Sequence, residues 1–212
     1  ILPKFFLENC GAYLAAIRSI GRTEEYFYMP VFESAAMIPP QTRREALTEV
    51  RAQLDTVSGS ILNIRVGGND LSHAFGLRRP ANRTIYDLRP VADILIDIVA
   101  AFGTQYVVSG PVWEYYSGEG WEEGLRREMK LDLLNGFTGK TVIHPNQIPV
   151  VNEMLRVSQR DYADARAILN WDTGSGSLVS ASEDGGRMNE YNTHSRWARR
   201  IVLRAERYGV RA

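Results

Sequence analysis

Apolar residues along this chain follow two rhythms that alternate. Short, nearly unbroken apolar runs at 1–7, 26–33, 61–67, 105–109 and 140–143 read as strands buried on both faces, the pattern of a parallel sheet. Between them the spacing becomes helical. Val91, Ile94, Leu95, Ile98 and Phe102 share one face of a segment at 87–102, with Pro90 suited to its first turn. Residues 41–57 place Leu47, Val50, Leu54 and Val57 the same way, behind Pro39-Pro40. Ser158-Gln-Arg-Asp161 resembles a capping box with Asp in place of Glu, and its helix is expected to run to about Trp171. Strand and helix in alternation predict βα units around a parallel sheet. Five strands with their helices fit either five-eighths of a (β/α)8 barrel or a complete five-stranded doubly wound sheet, and periodicity alone does not separate the two.

After residue 172 the texture changes. Thr173 to Gly186 is rich in glycine and serine, which predicts a loop or a weak hairpin rather than a packed core element. Helical character returns at 193–208, with Trp197, Ile201 and Ala205 facing inward. The expected organisation is therefore a main domain at 1–172 and a lid or arm at 173–212.

Composition removes several function classes. Of 212 residues, 44% are hydrophobic and 24% charged, enough for one large core plus a small appendage. The 25 basic and 25 acidic side chains cancel, so there is no global field to draw in nucleic acid or an anionic membrane. Any anion must be held by a local site. A lone cysteine, Cys10, has no internal disulfide partner and no thiolate companions for a metal, which points to a reducing, cytoplasmic setting. No run of about 18 apolar residues is present to span a bilayer. The chain opens inside an apparent strand, Ile1-Leu-Pro-Lys-Phe-Phe-Leu7, without an initiator Met, and the expectation is that upstream sequence is missing.

Two carboxylates stand where α/β folds collect chemistry. Glu33 ends the run Tyr26-Phe-Tyr-Met-Pro-Val-Phe-Glu33, and Asp70 follows Ile61-Leu-Asn-Ile-Arg-Val-Gly-Gly-Asn-Asp70, so each falls at the carboxyl end of a strand. Two acids from neighbouring strands suit Mg²⁺, which takes oxygen ligands and commonly only one or two protein carboxylates. Gly67 and Gly68, lacking side chains, would let the backbone approach a ligand and present N–H groups to a carboxylate; the plainer reading is that they make the turn. Lys4, inside its strand, would need a carboxylate partner if it points inward, and the metal acids are in reach of that expectation. His144 is placed as a loop-fixing residue, Lys140 at the face opposite the catalytic rim, and His73 and His194 in solvated or capping roles.

The segment Gly136-Phe-Thr-Gly-Lys-Thr-Val-Ile-His-Pro-Asn-Gln147 closely resembles the signature on the last barrel strand of the citrate lyase β-subunit family, also called the HpcH/HpaI aldolase or malyl-CoA lyase superfamily. Leu2-Pro-Lys4, Phe32-Glu33-Ser-Ala, and Gly67-Gly-Asn-Asp70-Leu-Ser with Phe75-Gly76 fall into the same family order. The resemblance implies a (β/α)8 TIM barrel of which strands four to eight are present and one to three absent, with a C-terminal helical arm. It implies Mg²⁺ on Glu33 and Asp70, and substrate contacts from Gly67, Gly68, Asn69 and Lys4. The family's carboxylate-binding arginine lies on the third strand, and no residue here matches it. Glu183-Asp184-Gly-Gly-Arg-Met188 is similar to the family's lid segment, so Asp184 is the expected acid/base, with an extra glycine interrupting the match and a plain turn as the rival reading. Val107-Val-Ser-Gly-Pro-Val-Trp113 and the aromatic insert Trp113-Glu-Tyr-Tyr116 depart from the family pattern, which implies a different substrate choice.

The expected activity is Mg²⁺-dependent carbon–carbon cleavage or condensation of a 2-oxo or 2-hydroxy acid, or of its acyl-CoA ester, by a homo-oligomer (trimer or hexamer). Two alternatives stand beside it. One is a Mg²⁺-dependent acyl thioester hydrolase; the other is a barrel that binds or scaffolds without catalysis.

Overall fold

Four parallel strands in strict sequence order make the principal sheet. The computed structural model describes residues 10–20, 27–171 and 179–211, and its contacts divide the chain into two compact units, Ile1–Val150 and Val151–Ala212. The expected strand at 1–7 lies outside the described residues. In the first unit, β1 (Val31–Phe32), β2 (Ile64–Val66), β3 (Val108–Gly110) and β4 (Gly139–Lys140) are hydrogen-bonded in the order β1-β2-β3-β4. Registers are Phe32 beside Val66, Arg65 beside Ser109 and Ser109 beside Gly139. A doubly wound sheet reverses strand order at a switch point. No reversal occurs among these four strands, and their arrangement is that of a barrel wall.

Helices connect the strands as the periodicity requires. α1 (Cys10–Ser19) comes first, α2 (Pro40–Asp55) links β1 to β2, and α3 (Gly68–Ala74) and α4 (Arg89–Phe102) link β2 to β3. α5 (Trp121–Leu134) links β3 to β4, and α6 (Gln147–Leu155) follows β4. Proline occupies the first turn of both α2 and α4, where its missing N–H is harmless. The apolar stripe of α4 is buried in full: Val91, Ile94, Leu95, Ile98 and Phe102. It packs with Phe32, Leu47, Leu54, Ile64 and Val66 in one core cluster, in which the Phe32 and Phe102 ring centroids are 5.0 Å apart. α2 ends at Asp55, so Val57 sits beyond it, ahead of a short 3₁₀ turn at Ser58–Ser60.

The second unit has its own core. α7 (Gln159–Leu169) packs on α8 (Tyr191–Tyr208) through Ala165, Ile168, Ala198, Ile201 and Ala205. The parallel pair β5 (Val157–Ser158) and β8 (Val210–Arg211) closes one end. Ser158 caps α7 by accepting from the Asp161 amide, and its hydroxyl donates to the Asp161 carboxylate at 2.8 Å. An antiparallel hairpin, β6 (Val179–Ala181) and β7 (Met188–Glu190), provides the turn chemistry that the glycine-rich stretch announces. Among the described residues no helix is long and apolar enough to cross a membrane.

Candidate functional site

The carboxyl ends of β1 and β2 bring the first candidate acid against the glycine pair. Glu33 follows β1 directly, and the Gly67 amide donates to the Phe32 carbonyl at 3.0 Å, which sets Glu33 beside Gly67. The fit is close: a Cβ on Gly67 would overlap the carboxylate and Cβ of Glu33. Gly67 therefore supplies space rather than a free N–H, because its amide is committed to the sheet. Gly68 is required by packing, since a Cβ there would lie 2.6 Å from Ile85 and from Pro111. Asp70 stands in the first turn of α3, two residues beyond Gly68. Asn69 lies between them, its Oδ1 3.5 Å from an Arg79 nitrogen. Lys4 lies outside the described residues.

Beneath this rim a charged group is fully buried. Lys140 donates to Glu128 and to Asp132, each at 2.7 Å, with all three side chains at 0–1% exposure. Arg79 pairs with Glu128 at 3.1 Å, donates to the Val112 carbonyl, and lies over the Trp113 ring. Tyr86 donates to Asp132 at 2.7 Å, and the Ile85 amide to Glu128 at 2.7 Å. Two cations thus meet two carboxylates. Burial pushes the Asp132 carboxyl up against the opposing pull of Lys140, and burial together with Asp132 pushes the Tyr86 phenol up as well. The group fixes the chain from Arg79 to Asp87, which follows the Asp70 turn, onto α5 and β4. Sequence reasoning placed Lys140 on the stability side but missed its partners. The signal was Glu128 and Asp132 lying in the buried stripe of α5 with Leu125 and Met129.

Gln147 ties the next two strand ends together. Buried, it donates to the carbonyls of Trp113 at 2.8 Å and Tyr115 at 2.9 Å, and accepts from the Ile143 amide at 2.9 Å. His144 fixes its loop: Nδ1 accepts from the Asn146 amide at 3.2 Å, and its ring stacks on Tyr116 at 4.3 Å and 11°. In the second unit, His194 accepts the Glu190 amide at the start of α8.

Asp184 occupies the turn of the β6–β7 hairpin. Its Oδ1 accepts from the Ser182 hydroxyl at 2.6 Å and the Gly186 amide at 3.0 Å, and Arg160 lies 3.0 Å from Oδ2. The Ser182 and Gly186 bonds, with Arg160 behind them, hold its carboxyl below the usual carboxylate range. A cavity of about 320 Å³ beside it is lined by Gln159, Arg160, Ala163, Asp164, Glu183 and Asp184.

Among the described residues no three His, Cys, Asp or Glu side chains converge into a metal-holding group. Glu33 and Asp70 are two carboxylates at the carboxyl ends of neighbouring strands, both oxygen donors. That set fits a hard divalent cation whose remaining positions go to water and substrate, and it does not fit a structural zinc site.

A family described as a C–C bond lyase of the TIM-barrel fold matches residues 1–210. An L-malyl-CoA/β-methylmalyl-CoA lyase of Cereibacter sphaeroides is 38% identical over 74 residues, 34% of this chain and 22% of that protein. CitE from Mycobacterium tuberculosis, solved with magnesium, acetoacetate and coenzyme A, superposes with a TM-score of 0.58 at 22% identity, covering 85% of this chain and 60% of that one. A citrate lyase from Burkholderia xenovorans LB400 gives a TM-score of 0.63 at 17% identity, with 93% and 58% covered. At these identities the solved structures attest the fold, and the chain spans less than two thirds of the length of each of these three relatives.

Proposed function

The chain belongs to the C–C bond lyase family of the TIM-barrel fold, and from that premise we propose that it carries the metal half of a Mg²⁺-dependent site that breaks or forms a carbon–carbon bond beside a carbonyl. One observation carries the proposal: Glu33 and the Gly67–Asp70 turn meet at adjacent strand ends, with Gly67 leaving room only for the Glu33 carboxylate. Glu33 and Asp70 would hold the cation. Bound there, Mg²⁺ supplies positive charge that the oxygens of a 2-oxo or 2-hydroxy acid can chelate and that offsets negative charge developing on oxygen.

The other residues position and exclude. Gly68 and Asn69 line the turn along which the substrate carboxylate lies. Arg79, through Glu128 and Val112, and Gln147, through Trp113 and Tyr115, hold the rim loops in one geometry so that little reorganisation is left for the reacting state. Asp184 enters as the proton-transfer group of the arm, and the Ser182 and Gly186 bonds that lower its pKa keep it ionised at neutral pH. The malyl-CoA lyase relative and the CitE neighbour solved with coenzyme A support an acyl-CoA ester as one substrate form.

Calorimetric titration with Mg²⁺, with and without pyruvate or oxaloacetate, tests the reading. Metal affinity that tightens with the oxo acid, and is lost in Asp70→Asn while the circular dichroism spectrum is unchanged, is the expected result. Wild-type Mg²⁺ affinity in Asp70→Asn would end the metal assignment.

A further inference from the structure

The second unit turns one side of α8 into its own core and the other to solvent. Ala198, Ile201 and Ala205 are buried against α7, with Trp197 and Val202 packed beside them. At 3.6 residues per turn, Arg196, Arg199, Arg200, Leu203 and Arg207 fall on the opposite side, and all five are exposed. Arg199, Leu203 and Arg207 form its ridge at i, i+4 and i+8, and Leu203 stands 65% exposed between the two arginines. Arg204 flanks them half-buried, and its Nε meets no hydrogen-bond partner. Against these five arginines the helix carries one acid, Glu206.

α2 and α5 meet water differently. α2 exposes Arg44 beside Glu45 and Glu49, while α5 sets exposed Glu123 four residues before exposed Arg127 and pairs Glu122 with Arg126 at 2.7 Å. Opposite signs at i, i+4 stabilise a solvated helix face. On α8 the i, i+4 neighbours are Arg196 with Arg200 and Arg200 with Arg204, which repel. A negative partner relieves that repulsion. Because basic and acidic side chains balance over the whole chain, the attraction is local to this helix.

Three features choose the class of partner. The face is the convex surface of a helix, which suits an extended partner rather than an enclosed small anion. Leu203 at its centre gains nothing from a phosphate backbone, and the apolar side of α8 is buried in the core, so the helix cannot lie in a bilayer surface. Arginine also forks a carboxylate with two parallel bonds. We infer that the outward side of α8 docks an acidic helical segment of a partner protein, with an apolar residue of that segment on Leu203 and its carboxylates on Arg199, Arg207 and the arginines beside them. From Arg196 to Arg207 the helix rises about 16 Å, so roughly three turns of a partner helix cover the face. The inference is independent of the lyase reading.

The test titrates the full chain against a labelled helical peptide of glutamate, alanine and leucine, with one leucine per turn, read by fluorescence anisotropy. A second peptide carries glutamine in place of leucine, and duplex DNA and phosphatidylserine vesicles are the rival anions. Wild type is expected to bind the leucine peptide most tightly, and added salt to weaken it. Arg199→Glu with Arg207→Glu should weaken it at least about tenfold at an unchanged circular dichroism spectrum. Leu203→Ala should weaken the leucine peptide about threefold and leave the glutamine peptide as it was. If charge reversal unsettles α8, Arg199→Gln with Arg207→Gln carries the same comparison, with a loss of about threefold. Wild-type affinity in the arginine variants or in Leu203→Ala overturns the inference. So do equal affinities for the two peptides, the mark of unspecific attraction, and tighter binding to DNA or vesicles, which would give the face to another class of partner.

Discussion

Gly67, three residues before Asp70, and Gly76, six residues after it, are needed for opposite reasons. Gly67 has φ −82° and ψ 70°, a backbone that alanine accepts, yet its missing Cβ is the space that Glu33 fills. Gly76 has φ 64° and nothing within 4 Å of a built Cβ, so its requirement is conformational alone. Gly67→Ala is accordingly expected to fold but to push the Glu33 carboxylate aside, lowering Mg²⁺ affinity at least about tenfold by the geometric demand of that ion. Gly76→Ala should lose about 1–2 kcal/mol of stability, the strain of a left-handed alanine, at unchanged Mg²⁺ affinity. Calorimetry and urea unfolding on the two variants read the contrast; metal binding that survives in Gly67→Ala would remove Glu33 from the ligand set.

At the scale of elements, α5 is joined to β4 by charge as much as by apolar packing. Removing Lys140 leaves Glu128 and Asp132 buried with Arg79 as the remaining cation, and Lys140→Met is expected to lose about 3–5 kcal/mol in denaturant unfolding. A loss below about 1 kcal/mol would show that the acids take up protons and tolerate the change. The β6–β7 hairpin is held to α7 by Arg187, which reaches Asp161 at 2.9 Å and also Asp164. Burial alone would raise the Asp161 pKa, but the bonds from Ser158 and Arg187 outweigh it and lower it, and Asp184 in the hairpin turn is lowered by Ser182 and Gly186. Folded carboxyls below their unfolded values contribute stability above the usual carboxylate range and lose it as pH falls through the folded values. Protection of the Ser182 and Arg187 amides, corrected for intrinsic exchange, should therefore fall below about pH 4; protection that persists to about pH 2 would assign the hairpin's stability to its strand pairing instead.

How much of this could be read beforehand follows from the range of each interaction. α4 was legible to within two residues because every position of its stripe is apolar, and the strand ends carrying Glu33 and Gly67 were legible because buried parallel strands announce themselves as runs. The strands are shorter than the runs: β1 is Val31–Phe32, with Tyr28 making only an isolated bridge to Ile61 and Pro30 offering no N–H to the ladder. α5 went unread because two of its core positions are acids. Arg79 gave no local sign, since its partner Glu128 is 49 residues away.

Across the molecule, the interior face of the four-stranded sheet sets the remaining expectation. An eight-stranded barrel fills its interior with side chains from all its strands. Phe27 and Met29 share the parity of Glu33, and Val107 that of Ser109, yet they are 61%, 47% and 48% exposed. Their apolar surface is the kind that a closed wall covers. The 212-residue chain by itself is therefore expected to bind a hydrophobic dye such as anilinonaphthalene sulfonate and to self-associate at micromolar concentration, with Phe27→Lys and Met29→Lys reducing both. A dye-silent monomer in sedimentation would show that this face is covered within the chain. The metal site should not share this dependence. Glu33, Gly67 and Asp70 all come from the end of β1, the end of β2 and the turn into α3, so Phe27→Lys and Met29→Lys should leave the Mg²⁺ affinity unchanged while they reduce dye binding.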